Sequence, residues 1–129
     1  MASLSPLARG DIYFSREQYP EAVQNYEAFL KGNPKNETMD GILFNLGLAR
    51  ALSPGREKDL PGAKTALNRI LTEYPDSRYK SQAELILGLL AQVESLNVDV
   101  RERDSKIQRL QDELNRLKEI DLKRRPTRP

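Results

Sequence analysis

Apolar residues recur along this chain at the spacing of helices rather than strands. In YPEAVQNYEAFLKGNP (residues 19–34), Ala22, Tyr26, Phe29 and Leu30 stand at i, i+4, i+7 and i+8, one stripe of a 3.6-residue period. LPGAKTALNRILTEYP (residues 60–75) writes the same stripe again, as Ala63, Leu67, Ile70 and Leu71, displaced by 41 residues. Pro20 and Pro61 fall in the first turn, where a missing N–H costs nothing. Turn residues with Pro34 and Pro75 close the two copies. A helix is predicted ahead of each, over LARGDIYFS (residues 7–15) and GILFNLGLARAL (residues 41–52). AELILGLLAQV (residues 83–93) then opens a third unit. Leu46-Gly47 and Leu87-Gly88 are again 41 apart. Glycine weakens a helix interior, so its recurrence needs a reason, and close approach of two helix backbones is the expected one.

From Tyr79 onward the period changes to seven. Ile86, Val93, Val100, Ile107 and Leu114 form one set, and Leu89, Leu96, Arg103, Leu110 and Leu117 the other. This is the a/d seam of a coiled coil with one charged intrusion, Arg103. A helix over residues 81–118 would be about 57 Å long at 1.5 Å per residue, so much of it is expected to project beyond two small repeats. LNVDV (residues 96–100) has poor helix propensity and suggests a hinge. An apolar seam of this length needs a partner. Either a second copy of the chain covers it, or its first part caps the repeats and the rest meets a different protein. In a parallel homodimer Glu113 would attract Lys118 while Asp99 would repel Asp104. The homodimer is the simpler reading.

Self-similarity at tens of residues marks stacked helical units, each with an apolar face it cannot bury alone. On these residues the chain resembles the tetratricopeptide repeat family, a helix–turn–helix of 34 residues. Gly10, Tyr13, Ala22, Tyr26 and Pro34 match its small, aromatic, small, aromatic and proline positions in the first unit. Leu43, Leu46, Gly47, Ala63 and Pro75 match in the second. Phe29 stands where the family usually has Ala, Leu67 replaces the second aromatic, and Arg50 occupies the place of the first. SPGREKD (residues 53–59) and KNETMD (residues 35–40) account for the longer spacing. ILTEYPDSRYKSQAELILG is similar to repeats of bacterial envelope proteins such as outer-membrane assembly lipoproteins. LKEIDLKRRP is similar to the ends of small proteobacterial lipoproteins encoded beside sensor histidine kinases.

The expected fold is therefore all-α, a short helical-hairpin solenoid followed by a long coiled-coil helix. Repeats would occupy residues 4–95, the coiled-coil extension residues 96–121 and a basic tail residues 122–129. Residues 1–100 hold 11 basic and 13 acidic side chains, and residues 101–129 hold 10 and 6, in keeping with two differently built regions. No apolar run reaches the roughly 18 residues of a membrane span. MASLSPLARG lacks the regions of a signal peptide, so the expectation is either no leader or a leader and lipid anchor on a segment outside this chain.

Chemistry is more notable for what is missing. The chain has no His and no Cys, which removes the usual zinc and haem ligands, thiol nucleophiles and the side chain best suited to proton transfer near neutral pH. Glu17 with Glu21, Asp112 with Glu113 and Glu119 with Asp121 read as charged helix faces rather than acid–base pairs. Ser77, Tyr79, Lys80 and Ser81 lie close in sequence without a strand–helix scaffold to orient them. No catalytic residue, metal or cofactor is expected.

By analogy with the repeat family, the first helix of each pair lines a binding groove. That assigns Leu7, Asp11, Phe14 and Ser15, then Phe44, Leu48 and Ala51, then Leu85, Leu89 and Gln92, with Phe14 and Phe44 as the anchors of a partner peptide or helix. The competing expectation is that both rings pack against the helix over residues 83–96. The functional reading is a non-enzymatic adaptor of a bacterial envelope, periplasmic or outer-membrane-associated by resemblance, with a cytoplasmic setting as the rival. A nucleic-acid- or anionic-surface-binding protein acting through LKRRPTRP is the alternative. Four positive charges without aromatic partners favour a solvated tail instead.

Overall fold

The computed structural model describes residues 4–32 and 39–124. Among them the chain is all-α. Its five helices are α1 (Pro6–Ser15), α2 (Tyr19–Gly32), α3 (Met39–Leu52), α4 (Leu60–Glu73) and α5 (Lys80–Arg124), with a 3₁₀ turn at Gly55–Glu57 and no strand. Pro34, most of the KNETMD link and residues 125–129 of the basic tail lie outside the described residues.

Local chemistry sets the helix ends. Ser5 caps α1, its Oγ accepting from the Ala8 N–H at 3.1 Å, and Pro6 follows in the first turn. The helix closes with Gln18 N–H donating to the Tyr13 carbonyl at 2.9 Å and Glu17 N–H to that of Phe14 at 3.0 Å. This closure needs a left-handed residue, and Glu17 supplies it at φ 59°, where glycine is the usual choice. Asp59 caps α4 through Gly62 N–H at 2.8 Å. Ser77 opens α5, its Oγ accepting from Tyr79 N–H at 3.0 Å while donating to Asp40 Oδ2 of α3 at 2.6 Å.

The chain divides into two compact units, residues 1–90 and 91–129. In the first, α1 packs on α2, α2 on α3, and α3 on α4. Their shared core includes Ala22, Tyr26, Met39, Leu43, Leu67 and Ile70, all essentially inaccessible to solvent. Each such large apolar side chain contributes about 1.5–3 kcal/mol of burial. The start of α5 adds Ala83 to the core, with Ile86, Leu87 and Leu90 packed against it.

Gly10 and Gly47 make room chiefly for side chains, with the expected backbone approach present at Gly47 as a further contact. A Cβ on Gly10 would stand 2.8 Å from Cε1 of Tyr26, and one on Gly47 would stand 2.9 Å from Cγ of Leu67. Each glycine is a socket on one helix for a large side chain of the helix packed on it, Tyr26 of α2 on α1 and Leu67 of α4 on α3. Gly47 also approaches backbone, at 3.4 Å from the Ala63 carbonyl, but only as a secondary contact. Gly88, the third member, has nothing within 4 Å. Among the described residues α5 continues past it as one helix, and no side chain fills the space beside it.

In the second unit, residues 91–124 are helical and every one is exposed. The helix runs through Leu96–Val100, where a hinge is expected from propensity, and on through Leu122, Lys123 and Arg124 of the expected tail. No proline or glycine occurs between Gly88 and Pro126 to stop it.

Candidate functional site

The groove positions expected from the sequence differ in burial and packing. Leu7, Phe14 and Phe44 are half-buried and pack against the core. Phe14 meets Tyr19 edge-on at 5.7 Å between ring centroids, and Phe44 stacks on Tyr79 at 4.9 Å. Both expected anchors thus have aromatic partners inside the first unit, Phe44 against the residue that leads into α5. Leu48 and Ala51 are half-buried, and neither belongs to the core cluster or its packed surround. Leu85, Leu89 and Gln92 are exposed.

Asp11 and Ser15 are bonded within the first unit. Ser15 Oγ donates to the Ile12 carbonyl at 2.7 Å. The Tyr26 hydroxyl donates to Asp11 Oδ1 at 2.6 Å and accepts from Asn45 Nδ2 at 3.4 Å. One hydroxyl of α2 thereby fixes α1 and α3 at the same level. Burial, reinforced by the hydrogen bond to the Asp11 carboxylate, pushes the Tyr26 phenol well above the ordinary tyrosine range. It is a protonated structural pin.

A cleft of about 400 Å³ opens between α2, α3 and α4, and nothing in the apolar periodicity marks it. Leu30, Leu43, Leu46 and Ala66 supply its apolar wall, and Glu27, Lys31, Arg50 and Arg69 its polar rim. Arg50 organises it. Its Nη1 donates to the Gly62 carbonyl of α4 at 3.0 Å, and its Nη2 meets Glu27 Oε1 of α2 at 2.9 Å. Nε is buried without an acceptor among the described residues. The sequence signal was a cation standing where the repeat family places an aromatic ring.

The seam residues differ along α5. Ile86 is half-buried against the core, whereas Leu89, Val93, Leu96, Val100, Ile107, Leu110, Leu114 and Leu117 are exposed. Among the described residues no group of three or more His, Cys, Asp or Glu is arranged to hold a metal ion. Ser77 and Tyr79 serve as helix cap and stacking partner. No described helix is long and apolar enough to cross a membrane.

Against known proteins, residues 11–123 match a family described as YfiO, outer membrane lipoprotein. No curated protein and no solved structure matches the chain. The match covers most of the chain, including all of α2, α3 and α4 and most of α5.

Proposed function

We propose that this chain, which belongs to the YfiO outer membrane lipoprotein family, is a tetratricopeptide-like adaptor that holds a peptide or helix of a partner and carries a coiled-coil stalk. The family supports a periplasmic or outer-membrane-associated setting and a lipid anchor. A role in protein–protein interaction is consistent with that family and with an all-helical chain lacking catalytic motifs. The observation that carries the repeat reading is the doubled socket, Gly10 with Tyr26 and Gly47 with Leu67. Helix pairs built on one plan and stacked on one core make a scaffold for binding along their first helices.

The groove then reads as α1 and α3, with Leu48 and Ala51 as the surface free for a partner, and Phe14 and Phe44 as its rigid floor. A photo-crosslinking residue at Leu48 or Ala51, in cells making the full chain, is expected to capture a protein. The same residue at Lys31 or Thr65 in the cleft is the control. Capture only from the cleft would move the binding face to α2 and α4. Capture from neither would remove the adaptor reading.

A further inference from the structure

We infer that residues 100–124 of α5 pair with the same residues of a second copy running antiparallel, with Arg103 of each chain facing Asp121 of the other. This rests on the stalk of the reading above and deepens it by naming partner, direction and register.

Among the described residues the exposed run of α5 packs on nothing within its own chain. Between Val100 and Leu117 it carries an apolar seam interrupted only at Arg103, and long helices in water draw most of their stability from packing such a face. Val100, Ile107, Leu110, Leu114 and Leu117 are each at least half exposed. Charge decides how a second copy would cover them. In a parallel in-register pair every seam residue faces itself, so Arg103 meets Arg103 and Asp121 meets Asp121. Asp99 then flanks Asp104, and only Glu113 with Lys118 compensates. Like charges brought together across an interface cost several kcal/mol.

Antiparallel pairing sets a positions against d positions, and registers differ by whole heptads. With the two-fold axis at residue 112, Ile107 faces Leu117, Leu110 faces Leu114, and Val100 faces the stem of Arg124. Arg103 falls opposite Asp121 at both ends of the apolar stretch. On the flank, Asp104 lies near Lys118 of the other chain. The like pair is Glu113 with itself at the axis, with Lys106 of each chain further along the same side. One heptad in one direction sets Arg103 against Leu114 and Asp121 against Leu96. One heptad in the other sets Asp121 against Leu110. Only the register centred on residue 112 sets Arg103 against Asp121, with Arg124 as the third seam charge at the end beside Val100, and an oppositely charged seam pair fixes alignment. Residues 91–99 of each chain stay outside the paired stretch.

The test uses the full chain. Sedimentation equilibrium is expected to give a dimer. Arg103→Asp is expected to weaken dimerisation at least tenfold, and adding Asp121→Arg in the same chain to restore it. A parallel pair would show no such rescue, because both variants would still oppose like charges. The chain has no cysteine, so a spin label on a cysteine introduced in place of Ser95 reports direction without background. Antiparallel labels would be about 50 Å apart, from 34 residues at about 1.5 Å each, and parallel labels under about 20 Å. A dimer with the short distance, or without rescue, overturns this orientation and leaves the adaptor groove untouched. A monomer or a higher oligomer overturns the pairing altogether.

Discussion

The socket glycines give a prediction with opposite signs at equivalent repeat positions. Gly10→Ala places a methyl 2.8 and 2.9 Å from two ring carbons of Tyr26. That ring cannot swing aside, since it is fully buried and its hydroxyl is bonded to Asp11 and Asn45. Overpacking of this kind costs about 1–3 kcal/mol, against about 0.5–1 kcal/mol gained by replacing a helical glycine with alanine. The net is a loss of up to about 2.5 kcal/mol. Gly88→Ala meets nothing within 4 Å and keeps only the gain, about 0.5–1 kcal/mol. All five tyrosines lie in residues 1–90, so thermal unfolding followed by near-ultraviolet circular dichroism reports that unit alone. At about 4–8 °C per kcal/mol for a unit of this size, the two midpoints should move apart by about 10 °C. If both variants shift the same way by similar amounts, the glycines answer to helix propensity alone and the socket argument fails.

Tyr26→Phe should cost about 1–2 kcal/mol in urea unfolding, because Asp11 and Asn45 lose a shared partner. Above the ordinary tyrosine pKa of about 10 the unfolded chain releases a proton that folded Tyr26 keeps, so stability should fall with rising pH there and be intact below. Tyr74, raised mainly by burial, acts in the same direction, and the Tyr26→Phe variant should show the shallower fall. Arg50→Ala should cost about 1.5–3 kcal/mol, since it removes a charged bond to the Gly62 carbonyl as well as the ion pair, whereas Glu27→Gln, at a half-exposed partner, should cost under about 1 kcal/mol. Equal losses in chemical denaturation would refute Arg50 as the organiser of the cleft. Glu17→Gly should raise the melting midpoint by relieving a left-handed conformation worth about 1 kcal/mol.

The helices were legible because their signals are periodic and local. The 41-residue offset located α2 and α4 from their stripes and prolines, and the heptad carried α5 past its low-propensity stretch. What escaped depends on which of two faces a half-exposed side chain chooses. Phe14 and Phe44 carry the same signal whether they wait for a partner or stack on Tyr19 and Tyr79, and spacing alone does not separate these. Ile86 fits both the heptad and the repeat core, and the core claims it. Arg50 was visible as a departure from the repeat pattern, but its reach to Gly62 and Glu27 depends on a loop closure that periodicity does not describe. Backbone approach accounts for part of Gly47, at 3.4 Å from the Ala63 carbonyl, but side chains stand nearer to both Gly10 and Gly47. A pattern records that a gap is required and not what enters it.

Tyr26 and Leu67 occupy the same station in successive helix pairs, yet one ends in a hydroxyl bonded on two sides and the other in methyl groups. An alkyl plug holds its place by volume alone, so methionine or isoleucine would serve nearly as well at residue 67. A phenol tied to two helices also dictates azimuth and depth, and few substitutes preserve both. Sequence drift should therefore be uneven along the molecule, with the amino-terminal pair frozen as its datum and the next pair free to vary around it.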